Sequence, residues 1–562
     1  MSFCRFSKRS AIVTGVLTTI VLLIALVLLI LIGVFDILVD NMIAKSVAIT
    51  PSSSVYENWV APDTPIFFSI YLFNITNHHD ILRGEKPRIQ QIGPYVYREK
   101  REKTNISWPN GDQSQVSFYQ RLTFHFDREL SVGDPDKDMV LGISTPFVTM
   151  ASNMEAGLGP SEGEYTLLTF FIEPKLFVET TVHRYLWGYV DAITEACNTL
   201  TPEKCPFAEV GLMMGKNATD MGPFVIDTGV NDISQLGNIL SYEGKNTVDV
   251  WSSEKANQIK GTDGSHFAPN LNANSTLFIF ANDLCRSFEL KVDGYGKLTN
   301  SDKVKVFSLG GTPETAQPAS VNPDNLGFCP PKTPGPKCPP AGLFDLSSCR
   351  RQGDSRPPVY SSQPYFFGAD PKLREGIEGL PEPNVENSST KVYVEPKLGL
   401  VLEAYKRLQI SFYVRPAKSM SDQFKNWTEP VFLPVVWFEE KAVAGPDALA
   451  MLYDNAYAKP AKGYNLLLTV FVVVLALSLL LLVFFVVVVC AIRRQTSRSG
   501  GEGAKSISAA TADYNAKYSR VAVASGDEVC TPILLSGYAR LPVSVRLAEG
   551  TAAGSSVVAE LL

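Results

Sequence analysis

The pattern of apolar and polar positions divides the chain into three parts. Two uncharged apolar runs, residues 11–35 and 464–492, lie on either side of a region in which apolar residues come in short segments. Each run exceeds the roughly 20 residues that an α-helix needs to cross a bilayer. The pattern therefore predicts transmembrane helices at 11–35 and 464–492, with a domain at 36–463 between them.

Each apolar run has an alternative explanation. A cleaved signal peptide also places an apolar run near the amino terminus, but its apolar core spans only about 7–15 residues and a small-residue cleavage site follows it. No such site closely follows residues 11–35. A buried core helix is the alternative for residues 464–492, although so long and uniform a run favours a membrane span.

Flanking charges predict the orientation of the two anchors. Basic residues flank the runs on the side away from the central region: Arg5, Lys8, Arg9, Arg493, Arg494 and Arg498. Asp36 and Asp40 follow the first run on its other side. Because basic flanks stay in the cytosol, we expect residues 1–10 and 493–562, and so both termini, to be cytosolic and residues 36–463 to be lumenal or extracellular.

Between the anchors, short segments rich in β-branched and aromatic residues predict strands. These segments are 64–76, 95–99, 116–126, 276–282, 303–309, 391–396, 408–414 and 430–440. Several alternate with a period of two, which is typical of antiparallel strands with one wet face. Helical patterns at 145–158, 164–177, 180–196 and 446–461 are fewer. We predict one large β-rich domain with an inserted helical cap, with two subdomains as the alternative at this size.

Composition and motifs argue against several functions. The net charge of −6 and the pI near 5.6 do not favour a nucleic-acid partner. The segment "FVIDTG" (224–229) matches an aspartic protease motif, but that chemistry needs a second aspartate and no second Asp-Thr-Gly or Asp-Ser-Gly occurs. The histidines do not show metalloprotease spacing, and no nucleophile elbow or phosphate-binding loop occurs. We therefore predict a turn at 224–229, no enzymatic activity and no cofactor.

Cysteines and glycosylation sequons are concentrated in the central region. Its cysteines are Cys197, Cys205, Cys285, Cys329, Cys338 and Cys349. Its Asn-x-Ser/Thr sequons begin at Asn74, Asn105, Asn217, Asn274, Asn387 and Asn426. An even number of cysteines and sequons on one side only favour an oxidising compartment with disulfides and N-glycans. Zinc is the alternative for residues 329–349, but neither a Cys-x-x-Cys pair nor a nearby histidine supports a metal site.

The last segment, 493–562, is rich in Ser, Ala and Gly, which predicts disorder. It holds two strings of the form tyrosine, two residues, bulky apolar residue: Tyr518–Val521 and Tyr538–Leu541. Cytosolic sorting adaptors recognise such strings, which also arise by chance. Cys4 and Cys490 lie at the predicted cytosolic ends of the anchors and are candidates for S-palmitoylation, with a free thiol packed among lipid and helix as the alternative.

Several segments together resemble the class B scavenger receptor family, from the first anchor through the second and in the same order. They are 81–99, 131–136, 186–189, 259–269, 283–288 and 327–349, the last of which is "GFCPPKTPGPKCPPAGLFDLSSC". The family includes fatty acid translocase, the high-density lipoprotein receptor and lysosomal integral membrane protein type two. The strings "SVGDP", "KLFVETTVHRYLWGY" and "NQIKGTDG" are most similar to the lysosomal branch.

The resemblance implies a fold and a function. The fold is an antiparallel β-barrel-like core with a helical bundle at its apex and an internal hydrophobic tunnel leading toward the membrane. The function is capture of lipids (fatty acid, sterol or phospholipid) or lipoproteins at the apex, with transfer of lipid through the tunnel. The alternative is a lysosomal cargo receptor that binds and sorts a lysosomal enzyme. The compartments implied are the plasma membrane and the endosomal and lysosomal membranes.

The resemblance also implies particular residues. It implies the disulfides Cys285–Cys349 and Cys329–Cys338, with the second clipping a hairpin at the tunnel wall. Cys197 and Cys205 lie outside the family pattern, and their spacing predicts a local bridge. Lys175 stands near the apical lysine of fatty-acid-binding relatives, with a solvated helix-end charge as the alternative. The apical segment contains no histidine, unlike the lysosomal branch, which uses one there to sense pH.

Overall fold

The computed structural model describes residues 7–158, 172–200, 209–351, 355–418 and 420–515, together with residues 163, 166 and 170. Two compact units emerge from the backbone contacts. One comprises residues 1–19 and 479–562, and in its described part it consists of the ends of two long helices. The other, residues 20–478, holds the remainder of both helices and all of the β-structure.

The two apolar runs form the helices Lys8–Val47 and Lys459–Asn515. Each contains a stretch that is long and apolar enough to span a membrane, and few side chains of these stretches are buried. Side chains that face lipid need no protein cover, so this exposure fits a membrane-spanning helix. In the larger unit, the rings of Phe35 and Tyr464 make an edge contact with centroids 5.4 Å apart.

Both helices extend beyond the predicted spans. The second continues to Asn515, past the start of the segment for which composition predicts disorder. Alanines within residues 504–512 favour this helix, whereas Gly500, Gly501 and Gly503 disfavour it. Residues 516–562 lie outside the described residues.

The described residues contain the following strands: β1 Ile66–Ile75, β2 Ile89–Ser107, β3 Gln115–Asp127, β4 Met139–Ile143, β5 Phe177–Thr181, β6 Thr219–Asp227, β7 Ile239–Tyr242, β8 Thr276–Ala281, β9 Arg286–Gly296, β10 Val306–Gly311, β11 Phe344–Asp345, β12 Val359–Ser362, β13 Lys391–Glu395, β14 Leu400–Val414 and β15 Val431–Val443. Thirteen of them form one sheet in the order β7-β6-β3-β2-β1-β15-β14-β13-β10-β9-β8, with β12 attached to β14 and β11 to β12. The pairings between these strands are antiparallel, and β4 pairs with β5 separately. All eight predicted strands overlap strands of this sheet.

A short backbone segment nearly closes the sheet into a barrel. The edge strands are β7 and β8, and Gly261 and Thr262 lie between them. The Ile239 N–H of β7 donates to the Gly261 carbonyl at 2.8 Å, and the Thr262 N–H donates to the Phe278 carbonyl of β8 at 3.0 Å. Because paired backbone leaves no open edge, this segment protects both edge strands.

Helices form a cap next to Ile75, the last residue of β1. Because β1 begins at Ile66 after the first membrane helix, Ile75 is the end of this strand that lies farther from that helix along the chain. The cap comprises the helices Thr145–Glu155, Val182–Trp187 and Ala192–Leu200. The Asn74 side chain near the end of β1 accepts a hydrogen bond from the Leu141 N–H of β4 at 2.8 Å, and β4 leads directly into the first cap helix. The cap is therefore tied to this end of the sheet.

Two helical predictions at the cap are wrong, at least in part. In the predicted helix 164–177, residues 172–176 are not helical and β5 begins at Phe177, while of residues 164–171 only 166 and 170 are described. Residues 180–196 do not form a single helix, since β5 runs through Thr181 and two helices follow it. The break lies at Gly188, which has φ 157°, and at Tyr189, which exchanges backbone hydrogen bonds of 2.9 Å with Val210. This isolated bridge takes the place of the helical bonds.

The predicted helix 446–461 is confirmed as the helix Pro446–Tyr453, one π-helical turn at Asp454–Ala458 and the start of the second membrane helix. Shorter helices connect the strands: Tyr56–Val60, His78–Ile81, Glu254–Asn257, Lys372–Glu375 and Val385–Ser388.

Candidate functional site

The interior of the sheet encloses a large cavity. Its volume is about 1740 Å³, which exceeds the roughly 300–1,000 Å³ of sites for drug-sized ligands. Apolar side chains from the inner face of the strands form much of its wall, among them Phe68, Phe118, Phe124, Leu408, Phe412 and Phe438. Strand alternation explains this wall, because every second residue of a strand faces the same side.

One end of the cavity reaches the cap. Met150 and Asn153 of the first cap helix and Ile193 of the third line it. Asn153 fixes the first helix, because its Nδ2 donates to the Arg356 carbonyl at 2.8 Å and its Oδ1 accepts from the Arg356 N–H at 3.1 Å. Ser144 caps the same helix by accepting a hydrogen bond from the Phe147 N–H.

Four charged residues, which we call the belt, line the other end of the cavity: Glu99, Arg101, Lys406 and Glu440. This end of the cavity is the one nearer the membrane helices along the chain. Ile66 is the first residue of β1 after the first membrane helix, and it pairs with Glu99 of β2 and with Ala442 of β15. The chain leaves β15 at Val443 for the second membrane helix.

Ion pairs connect the belt across three strands. Arg101 Nη2 lies 2.5 Å from Glu99 Oε1 and 3.2 Å from Glu440 Oε2. Lys406 Nζ lies 3.2 Å from Glu440 Oε1. Burial raises the pKa of Glu99 against the opposing effect of Arg101. Burial alone would also raise the pKa of Glu440, but Arg101 and Lys406 lower it to about 2, so this carboxylate is ionised at physiological pH.

The segment that closes the sheet adds polar groups near the belt. Asp263 and His266 line the cavity. The Ser265 hydroxyl donates to Asp263 Oδ1 at 2.5 Å and lies 3.0 Å from His266 Nδ1. Burial lowers the pKa of His266, which favours a neutral imidazole, and burial lowers the pKa of Lys103 to about 8.

Comparison with known proteins places the chain in a family. The CD36 family model matches residues 17–489, from the first membrane helix through the second. The chain belongs to the CD36 family. The resemblance to class B scavenger receptors is thereby confirmed.

Curated CD36-family relatives cover most of the chain. Lysosome membrane protein 2 of Homo sapiens is 33% identical over 398 residues, which are 71% of this chain and 79% of that protein. Scavenger receptor class B member 1 of Mus musculus is 31% identical over 427 residues, 75% of this chain and 79% of that protein. The Bos taurus protein of the same name is 31% identical over 454 residues, 81% and 85% of the two chains.

Among the cysteine pairs that the described residues contain in full, Cys285–Cys349 and Cys329–Cys338 form disulfides. The residues closed by the second do not line the cavity, whereas most of residues 312–317 before it and of residues 341–346 after it do. The disulfide therefore lies behind the wall rather than in it. Cys197 lines the cavity and is disulfide-bonded, but Cys205 lies outside the described residues, so the Cys197–Cys205 bridge stays a prediction.

A charge cluster adjoins the first disulfide at the cavity wall. Asp283, two residues before Cys285, forms ion pairs with Lys216 and with Arg350, the latter at 3.2 Å. Burial raises the pKa of Asp283, but the two cations outweigh it and lower the pKa overall. The cluster fixes the turn between β8 and β9 to the segment that follows β11.

The other predicted site residues are dispersed. Lys175 is exposed and is not among the residues that line the cavity, and its neighbour Leu176 is held by a hydrogen bond of 2.8 Å to Gln423. Exposed sequon asparagines are Asn105, Asn217, Asn274, Asn387 and Asn426, whereas Asn74 is half-buried and holds the cap. Cys490 is an exposed free thiol. The candidates outside the described residues are Cys4, Tyr518, Val521, Tyr538 and Leu541.

Sequence reasoning missed the belt. A signal was present in "YREKREK" (97–103), where a charged residue occupies nearly every position of a strand. Since alternate residues of a strand face opposite sides, a strand of a closed sheet places half of such charges inside. Glu99, Arg101 and Lys103 are the inner set, and Arg98, Lys100 and Glu102 alternate with them.

Proposed function

We propose that this CD36-family chain is a receptor that captures lipids or lipoproteins and passes lipid through its internal cavity toward the membrane. The observation that carries the proposal is the apolar cavity of about 1740 Å³, which extends from the cap to the end of the sheet nearest both membrane helices along the chain. Similarity to proteins named scavenger receptor class B member 1 supports the same function.

The mechanism needs no bond to be broken. Apolar side chains such as Phe68, Leu408 and Phe438 replace the water around an acyl chain or sterol ring, and each Å² of apolar surface removed from water contributes roughly 25 cal/mol. The cap captures the ligand, and the cavity shields the lipid during transfer. Residues 36–463 carry out this work outside the cytosol, with glycans at exposed sequons.

Transfer of a fluorescent sterol or phosphatidylcholine from donor liposomes into expressing cells tests the proposal. A double variant Leu408→Gln with Ile410→Gln makes the cavity wall polar, and each buried amide without a partner costs about 1–3 kcal/mol. We expect transfer to fall several-fold at equal surface expression. The control Lys441→Gln makes a similar change on an exposed residue of β15 and leaves transfer unchanged. Equal transfer by all three proteins contradicts lipid passage through the cavity.

A further inference from the structure

The belt holds unused hydrogen-bond donors inside the cavity. Arg101 donates from Nε and Nη2 to Glu99, while its Nη1 has no acceptor within the described residues. Lys406 Nζ meets one carboxylate oxygen, of Glu440. The Arg101 side chain is 14% exposed and that of Lys406 is 35% exposed, and both side chains line the cavity. The accessible parts of these cations therefore face the cavity.

Three of the four carboxylate oxygens of the belt, in contrast, already meet a cation of the belt. Glu99 Oε1 accepts two hydrogen bonds from Arg101, and the two oxygens of Glu440 are taken by Arg101 and Lys406. Within the belt the two carboxylates balance the two cations, and the nearby Asp263 faces the cation Lys103, so no net negative charge opposes an incoming anion. Charge-assisted hydrogen bonds to carboxylate or phosphate oxygens are the strong ones, and arginine and lysine are the usual donors.

We propose that the belt binds the oxyanion head, a carboxylate or a phosphate, of a lipid whose tail extends toward the cap. This inference rests on the proposed function, and it adds the residues that hold the head of the lipid and the direction of the lipid in the cavity.

The wall above the belt fits a tail in that direction. Phe68 and Phe438 stack with centroids 5.3 Å apart next to the belt, and Leu408 lies across from Phe438 in the register of β14 and β15. Ile410 and Phe412 continue along β14 on the same face, and both line the cavity. An apolar path thus runs from the belt toward the helices of the cap.

Binding of oleate and of oleyl alcohol to the full-length protein in detergent micelles tests the inference. The two probes share one chain and differ in the head. Lys406→Gln removes one charge-assisted donor, so we expect oleate affinity to fall about tenfold while oleyl alcohol affinity is unchanged. Lys406→Arg keeps a cationic donor and should retain oleate affinity. The matched control Lys441→Gln should bind both probes as the wild type does.

The outcomes separate this inference from the proposed function. If the wild type binds both probes and Lys406→Gln binds oleate equally well, the belt does not hold the head and lipid binding in the cavity still stands. If the wild type binds neither probe, the proposed function fails as well. Displacement of oleate by inorganic phosphate at similar concentration indicates a free-anion site and overturns the inference.

Photolabelling of the full-length protein tests the direction of the lipid. An oleate analogue with a diazirine at the tail end should label the cap helix Thr145–Glu155, and one with the diazirine beside the carboxylate should label β14 or β15. The reverse labelling pattern overturns the proposed direction, whatever the affinities are.

Discussion

The backbone of Gly261 lies so close to the carbonyl oxygen of Phe278 that a Cβ at position 261 would overlap it. Gly261 also has φ +83°, in the left-handed region that favours glycine. Its carbonyl receives the Ile239 N–H, so this contact places the segment between the two edge strands. The near-closure of the barrel therefore depends on a residue without a side chain.

Gly261→Ala should destabilise the protein more than a conformational penalty alone predicts. Gly244→Ala is the matched control, because Gly244 has φ +77° and nothing near the position of a Cβ. Left-handed strain costs about 1–2 kcal/mol in either variant. We expect a clearly lower midpoint of thermal unfolding for Gly261→Ala than for Gly244→Ala. Equal midpoints for the two variants contradict the closure by this segment.

The two described disulfides should differ in their contribution to stability. Cys285 and Cys349 are 64 positions apart, and Cys329 and Cys338 are 9 apart. The chain-entropy model gives about 4 kcal/mol for the longer loop and about 3 kcal/mol for the shorter, which its prolines reduce further. Paired Cys→Ser variants should therefore show the larger fall in unfolding midpoint for Cys285 and Cys349. The opposite order would show that native-state contacts decide instead.

Glu440→Gln should destabilise the protein in a pH-dependent way. The folded pKa of Glu440, about 2, lies below its ordinary value of 4.5. Its ionised form therefore stabilises the fold fully above about pH 4.5, and this contribution is lost as the pH falls toward 2. Removing one partner of a buried ion pair costs about 3–5 kcal/mol, so we expect a marked loss at pH 7.

The unfolding midpoint measured across pH checks this prediction. The difference between wild type and Glu440→Gln should be constant from pH 7 to 5 and shrink below pH 4.5. Glu382→Gln is the control, because this exposed partner of Arg374 contributes less than about 1 kcal/mol. A difference independent of pH would show that Glu440 acts by packing rather than by charge.

Loss of the two tyrosine strings, Tyr518–Val521 and Tyr538–Leu541, should change the trafficking of the protein. Replacing Tyr518 and Tyr538 with alanine should raise the amount of protein at the cell surface, because adaptors that recognise a tyrosine ring could no longer internalise it. Surface biotinylation measures the change. Serine-to-alanine substitution at Ser519 serves as the control within the first string. Unchanged surface levels in the tyrosine variant contradict a sorting role for both strings.

The sequence predicted the fold well where local pattern decides it. The predicted strand 116–126 lies within β3, and the predicted strand 430–440, which is apolar up to Phe438, coincides with β15 from Val431 onward. Strands such as β7 and β11 were missed because they are only four and two residues long, too short for a period of two to show in the sequence. The break at Gly188 depends on Val210, which lies far away in sequence.

The cavity depends on long-range structure in the same way. Its charged end joins residues of β2, β14 and β15, and no local pattern brings Arg101 to Glu440. Lys175, in contrast, stands near an apical position that the resemblance indicates, yet it does not line the cavity. Residues that meet only after the barrel forms were beyond prediction from one sequence.

The most direct test is native mass spectrometry of the purified full-length protein with lipid extraction. We expect near-stoichiometric fatty acid, sterol or phospholipid that survives exchange into fresh detergent, is displaced by added lipid, and is depleted in the double variant Leu408→Gln with Ile410→Gln. A folded wild-type protein that carries no lipid and binds none when lipid is added would contradict lipid transfer through the cavity. The cap would then be the place to look for a protein ligand.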